Sequence, residues 1–442
     1  MRRFSRPLGA ILAAVSLLTA RGTLGAEQQV PQPEQIQTLV RQLNDDESAV
    51  RDQAEHALLK LAPTHSFAQY DAFLALLPRP VENMPAEVRL RLTRIRREIE
   101  TAGAKHALMA SKLTLSAQTM KLGALLDEVH RQTGNRLSDY RQQFGQEATE
   151  LRIALDAIDG PFWPGMDRIL DRAELGLYTY SGQESLAVIQ REQGAAPRAA
   201  RASYAGPFRI EAVNVVSQRS LRLPDQQGGH VEIEIAWEPR LHPIALSQPA
   251  ASLKITADDG SQIQLGDQRS EFAVEVQPGS HATELNIPFV LPKRSVSKLA
   301  SLRGELSALV PGRVVEFRFE NLDQEKRAES EQGGVKVVID RVHLNQQLWE
   351  VHMRLQVESD EAALQSHRGW VFQNLTYLLN KQGDVIDHAG FETTMQSERE
   401  IGLAYFFDLP DAEIGDYTWV YRTPAAIVRV PVKFELKDIL LP

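Results

Sequence analysis

Val231-Glu232-Ile233-Glu234-Ile235-Ala236-Trp237 sets the reading of this chain. Four apolar side chains fall at every second position with charged or small residues between them. An extended backbone would turn one set toward a core and the other away from it. The same rhythm returns 120 residues later at Val351-His352-Met353-Arg354-Leu355-Gln356-Val357. Turn chemistry accompanies each stretch. Asp258-Asp259-Gly260 separates Leu253 and Ile255 from Ile263 and Leu265, and Asn380-Lys381-Gln382-Gly383 precedes Ile386, so both places read as hairpins.

Working outward, the two series can be laid over each other. Phe208, Ile210, Val213 and Val215 match Val337, Ile339, Val342 and Leu344 at a spacing of 129. Gly260 and Ile263 match Gly383 and Ile386 at 123. Leu285, Phe289, Leu291 and Pro292 match Leu403, Phe407, Leu409 and Pro410 at 118. Val315, Phe317, Phe319 and Leu322 match Val432, Phe434, Leu436 and Ile439 at 117. The spacing changes where loops intervene, as insertions in surface connections would make it. Residues 205–323 and 335–442 are therefore expected to be tandem copies of one β-sandwich of about 110 residues, close to the size of an immunoglobulin-like domain. An Ala/Pro/Arg-rich linker, 192–204, leads into the first copy, and a charged one, 324–334, joins the two.

Upstream, residues 112–190 read as a βα unit written twice, a small βαββαβ domain. Leu113-Thr114-Leu115 alternates as a strand, Leu122, Leu125, Leu126 and Val129 form a helical stripe, and Gly134 stops it. In the second copy Leu151 and Ile153 mark the strand, Met166, Ile169, Leu170 and Ala173 the stripe, and Gly176 the stop. Strand positions recur 38 apart, helix positions 41 and glycines 42, with Gly160-Pro161-Phe162-Trp163-Pro164 absorbing the shift. Phe162-Trp163 at the helix start reads as an anchor onto a neighbouring sheet. Leu113–Leu137, with Gln132-Thr133-Gly134, is similar to the short N-terminal module of secretins and TonB-dependent receptors. That resemblance implies a docking role without catalysis.

Residues 34–108 read as helices, with stripes at Ile36, Leu39, Val40 and Leu43 and at Val50, Ala54, Ala57, Leu58 and Leu61. The Asp45-Asp46 turn followed by Val50-Arg51 resembles a HEAT repeat, here a fragment rather than an array. In the last helix Val88, Leu92, Ile95 and Ile99 face inward, and Arg89, Arg91, Arg94, Arg96 and Arg97 are expected to pair with acids on the other side. Together with Tyr421-Arg422-Thr423-Pro424-Ala425-Ala426-Ile427 and Phe434–Asp438, this segment resembles uncharacterised exported proteins of planctomycete-type bacteria, which carry no known activity over. At the start, Arg2, Arg3 and Arg6 precede the apolar run Leu8–Ala20 and the small residues Gly25 and Ala26, so residues 1–26 are expected to be a cleaved signal peptide.

The fold class expected is thus multidomain α + β: a helical HEAT-like segment, the small βαββαβ domain, then two immunoglobulin-like sandwiches. Of 442 residues 49 are basic and 58 acidic, a net charge of −9, so no electrostatic footprint for nucleic acid exists. Cysteine is absent, which excludes disulfides, thiolate metal sites and a cysteine nucleophile. No second apolar run reaches the ~20 residues of a membrane span.

Phosphate loops, His-Glu-x-x-His helices, Gly-x-Ser-x-Gly elbows and EF-hand loops do not occur. The histidines are dispersed. His343 and His352 flank a strand pair, and His352 shares its polar phase with Glu350 and Arg354, which reads as a solvated strand face rather than a metal site. Asp384, Asp387 and His388 follow a hairpin turn and are read as part of it rather than as an acid/base set. Trp237 reads as core, and Trp349, Trp370 and Trp419 would suggest sugar stacking only if exposed in a row. Neither a catalytic, a cofactor-binding nor a metal residue is assigned, and no cofactor is expected. The expectation is an exported, periplasmic or extracellular, non-catalytic binding or scaffolding protein whose partner is an envelope protein or polymer. Two alternatives stand beside it: an envelope polysaccharide or peptide hydrolase with an interdomain carboxylate site, and an adaptor of an outer-membrane secretion system.

Overall fold

The computed structural model describes residues 33–442 apart from 64–66, 82, 183–184, 200, 224–226, 268, 275, 278, 325–326, 358–368, 398 and 410–412. The expected signal peptide, residues 1–26, lies outside the described residues. The chain is mixed, with four leading helices, a small α/β module and a strand-rich remainder in mainly antiparallel sheets. No helix among the described residues is long and apolar enough to cross a membrane.

Helices α1 (Pro33–Gln42), α2 (Ser48–Leu61), α3 (Phe67–Leu76) and α4 (Ala86–Ala107) share a core in which Ile36, Leu58, Phe73, Leu92 and Ile95 are fully buried. The arginines of α4 do separate jobs. Arg91 and Arg94 both bind the buried Glu55 of α2, and Arg96 Nη1 donates to the carbonyls of Leu74 and Leu77, 2.9 Å each, closing the C-terminal end of α3.

In the small module, β1 (Lys112–Leu115), β2 (Gln118–Lys121), α5 (Leu122–Thr133) and β3 (Leu137–Asp139) are followed by β4 (Arg152–Leu155), β5 (Ile158–Pro161), α6 (Phe162–Ala173), β6 (Leu175–Tyr178) and β7 (Leu186–Gln190). The first two strands and the helix of each half start 40 residues apart, replacing the expected 38 and 41. The strand offset thus differs from 38 by two residues, a shift that leaves every side chain on its face. Nor is Gly176 the stop of α6. Glu174 takes the left-handed turn (φ 54) and Gly176 lies within β6, whereas α5 does stop at Gly134 (φ 73). Pairing crosses between the halves: β1 runs against β5 (Lys112↔Pro161) and β2 against β4 (Lys121↔Arg152).

The remainder begins with β8 (Ala202–Ala205), β9 (Phe208–Arg219), β10 (Gln227–Trp237), β11 (Ala245–Pro249), β12 (Lys254–Ala257), β13 (Gln262–Ile263), β14 (Glu271–Val274), β15 (Ala282–Phe289) and a 22-residue strand, β16 (Lys298–Phe319). It continues with β17 (Ala328–Gln332), β18 (Val335–Asn345), β19 (Leu348–Val357), β20 (Thr376–Leu379), β21 (Val385–Asp387), β22 (Gly390–Gln396), β23 (Glu400–Asp408) and the 23-residue β24 (Thr418–Leu440). The expected linkers 192–204 and 324–334 therefore each hold a strand. β8 and β17 turn at Gly206 (φ 57) and Gly333 (φ 60) to pair with β9 and β18. Few apolar residues mark these edge strands, so composition read them as connections.

Register relates the two halves closely. Ile210 faces Ile235 and Val337 faces Leu355, so the first strands match at 127 rather than 129. Both pairs carry a one-residue bulge, Val213 in β9 and Asp340 in β18, again 127 apart. The 118 spacing meets the same test, since Ile233 faces Leu285 and Met353 faces Leu403. So does the hairpin spacing of 123: Ile255 lies between Ile263 and Leu302, and Leu378 between Ile386 and Trp419.

The halves are not separate in space. β16 and β24 run antiparallel along nearly their full length, from Lys298↔Leu440 to Phe319↔Trp419, inside one eight-stranded sheet. One end of that sheet and the sheet β15-β10-β9-β8 enclose a first core; the other end and β17-β18-β19-β23-β22 enclose a second. Val432, Phe434, Leu436 and Ile439 of β24 lie in the first core, while Val315, Phe317, Phe319 and Leu322 lie in the second. These two sets are counterparts 117 residues apart, so each half receives the closing strand of the other. The expected boundary at 323/335 cuts through this exchange. Gly304 marks how tight it is: a Cβ there would stand 2.5 Å from the Phe434 ring packed over it.

Candidate functional site

The polar chemistry of the molecule gathers where the small module meets the outer face of the sheet formed by β8, β9, β10 and β15. In the sequence Phe208-Arg209-Ile210, Arg209 has the polar phase of β9 and points away from the core. Helix α6 covers it. Asp167 of α6 is fully buried; its Oδ2 accepts from Arg209 Nε and from the Tyr204 hydroxyl, both at 2.7 Å, and its Oδ1 from Arg198 Nε at 3.0 Å. Arg209, equally buried, also reaches Glu211 at 2.6 Å. Burial alone would lower the guanidinium's proton affinity, but Asp167 and Glu211 more than reverse it, so the group is held charged. Burial and then the Asp167 carboxylate push the Tyr204 hydroxyl up from its ordinary value, which keeps it a donor. Trp163, beside these residues, donates from Nε1 to the Pro207 carbonyl at 2.9 Å and is buried: the anchor falls on the turn that opens the sheet.

A second buried carboxylate, Glu238 at the end of β10, is met from the other side of the module. Its Oε1 accepts from Ser111 N at 2.9 Å, and its Oε2 from Arg240 Nε at 2.6 Å and Asn135 Nδ2 at 3.1 Å. Asn135 can reach it because Gly134 turns the chain left-handed after Gln132-Thr133. Asn135 Oδ1 in turn accepts from Arg240 N at 3.1 Å. Farther along, α4 joins the long strands through the ion pair of Glu100 with Arg313.

Between these anchors three glutamates stand in a row. Glu211, Glu234 and Glu284 occupy directly opposed positions on β9, β10 and β15. Thr179 Oγ1 donates to Glu234 at 3.3 Å, and the Tyr180 hydroxyl to Glu284 at 3.4 Å. Burial raises Glu234 above the usual carboxylate range, against the pull of Arg198 and Arg209. Partial burial and the neighbouring Glu232 raise Glu284. Chemically Glu284 and the adjacent Glu232 can hold a proton between them.

The residues singled out from sequence fall elsewhere. Asp384 sits in the hairpin turn, bonded by Asn380 Nδ2 at 2.8 Å, Asp387 is exposed, and the His388 ring lies 5.2 Å from that of Tyr405. Trp237, Trp370 and Trp419 are buried and Trp349 is half-buried. His343 and His352 do come together. On the outer face of β18 and β19, His352 Nε2 is 2.8 Å and His343 Nε2 3.5 Å from Glu350 Oε2. Asp167, Arg209, Glu238 and Asn135 were not singled out: a charge on the polar phase of a strand or helix reads as solvated until a second module is known to cover it. No protein-family model, curated protein or solved structure matches the chain.

Proposed function

We propose that this protein is an exported, non-catalytic binding or scaffolding protein of the cell envelope, with a duplicated immunoglobulin-like sandwich as its body and the βα module and helices as rigidly mounted docking parts. The observation that carries this reading is the use made of the buried polar groups. Asp167, Arg209, Glu238 and Asn135 satisfy one another across module boundaries instead of converging on an open cleft. Breaking such a buried pair costs about 3–5 kcal/mol, so these seams fix the modules relative to one another. A fixed array of surfaces suits simultaneous contact with an extended partner. The bulges at Val213 and Asp340 support descent of the two halves from one sandwich, since a bulge is a built feature rather than a by-product of alternation. The fold alone names no ligand.

The glutamate row favours a second reading, a hydrolase acting on envelope polymer, because carboxyls with raised proton affinity are the raw material of acid/base catalysis. One experiment separates the two. The full chain, at micromolar concentration, is incubated with peptidoglycan sacculi and with solubilised envelope proteins. Saturable retention on one fraction, with no release of sugar or peptide fragments, is the expected result. Fragment release that Glu234→Gln abolishes would establish the hydrolase; the absence of any retention would overturn the scaffold.

A further inference from the structure

His343, Glu350 and His352 lie on the ribbon made by β18 and β19, far along the chain from the module seam. Their side chains share one face for a simple reason: Glu350 and His352 are two apart on β19, and His343 is the cross-strand partner of Glu350. One donor atom from each lies within 4.8 Å of the others. Donor atoms around a tetrahedral zinc-sized ion at about 2.1 Å are about 3.4 Å apart, so small side-chain rotations close the gap.

The carboxylate is aimed. Asn345 Nδ2 donates to Glu350 Oε1 at 2.7 Å, which leaves Oε2 turned to both imidazoles, the kind of supporting bond that metal ligands receive. The Glu350 and His352 side chains are only 12% and 13% exposed, while that of His343 is 39% exposed, giving a half-sheltered set with one open side. The exposed Arg341 also stands here, its Nη2 3.4 Å from His352 Nε2. Its long side chain can swing into solvent, so it competes for the cluster without sealing it.

The first half supplies an internal contrast. The positions equivalent to His343, Glu350 and His352 are Val216, His230 and Glu232. Two donors persist there in reversed order, but the cross-strand imidazole is replaced by an aliphatic side chain. A donor set unique to one copy of a repeated ribbon is not a requirement of the ribbon fold.

We infer that His343, Glu350 and His352 form a site for one divalent transition ion of the zinc class, with its remaining coordination position toward solvent. Two imidazoles and one carboxylate suit this class, whereas the all-oxygen shells of calcium and magnesium do not use imidazole.

The test is a calorimetric titration of the metal-stripped full chain with Zn2+ alone, in a non-chelating buffer at neutral pH. Binding of one ion at about 10 μM or tighter is expected, with His343→Val, which installs the residue of the first half, and Glu350→Gln each weakening it roughly tenfold or more. Far-UV circular dichroism checks that both variants keep their fold; either one alone suffices for the comparison. Unaltered zinc affinity in a folded variant would place the ion elsewhere and overturn the site, as would no binding at about 100 μM zinc.

Discussion

Two faces of the same sheet position lead different lives in the two halves. In the first, Arg209, Glu211 and Glu234 stand on the outer face of the sheet beneath the small module, with Glu284 exposed on the edge strand β15. In the second, the matching positions hold Lys336, Val338, Arg354 and Gly402. Here Lys336 pairs with Glu329 at 2.8 Å, and Arg354 with Asp340 and Glu400 at 2.6 and 2.7 Å, while Val338 is buried. One scaffold thus carries a buried ionic seam on one copy and a ribbon of surface pairs, ending in the histidine cluster, on the other. Strand alternation specifies only that a side chain points outward; what it meets there is decided by a segment distant in the chain.

The most damaging intervention on this comparison is removal of residues 431–442. Were each half self-contained, the second would suffer. The exchange predicts the reverse emphasis: Val432, Phe434 and Leu436 leave the first core, at a cost of about 2–5 kcal/mol for each large side chain. Hydrogen exchange should show β9 and β10 losing protection before β18 and β19. Greater loss in the second half would refute the exchanged arrangement.

Next in size is the contrast between seam and surface. Asp167→Ala leaves the Arg209 guanidinium buried with one partner fewer and should destabilise the chain by about 3–5 kcal/mol in urea unfolding. Lys336→Ala, at the equivalent position of the second half, should cost under about 1 kcal/mol because its pair is at the surface. Equal effects would mean that the module does not shield Arg209.

Smallest is the effect of pH on the glutamate row. Glu284 holds a proton more tightly in the folded chain than an ordinary carboxyl does, so its contribution to stability is present at low pH and is lost as pH rises through its folded value. Glu284→Gln should therefore raise stability at pH 8 by about 0.2–1 kcal/mol, the scale of a like-charge cross-strand contact, and have less effect at pH 4. Thermal melts at both values measure it. Destabilisation at pH 8 would show that the carboxylate is wanted there.

Much of the architecture was readable from residue order. Alternation located β10 and β19, and Asp-Gly and Asn-x-x-Gly turns located the hairpins, because both are local consequences of backbone geometry. The spacings of 118, 120, 123 and 117 agree with the pairing registers. Among the strands the offsets differ from expectation by an even step, β9 against β18 and β1 against β4, while the helix offset differs by one. A period of two cannot distinguish registers that differ by two. The edge strands β8 and β17 carry the composition of linkers since they bury little. Of the chemistry, His343 and His352 were in view, but their approach to Glu350 depends on the register of β18 against β19. The seam around Asp167 and Glu238 had no local mark at all, being made by contacts between residues 42 and 103 positions apart.

The long pairing of β16 with β24 also bears on the order in which the molecule can come into being. A chain emerging from its N-terminus completes the segment 202–319 well before it reaches Val432. Until then the first half must wait with an open flank, and although the start of β16 already pairs with β11 and β12, Val315, Phe317 and Phe319 at its far end lack the second core that receives them. Maturation of the first half is thus tied to the arrival of residues 431–442, and a translation product ended before them would lack a finished half of any kind.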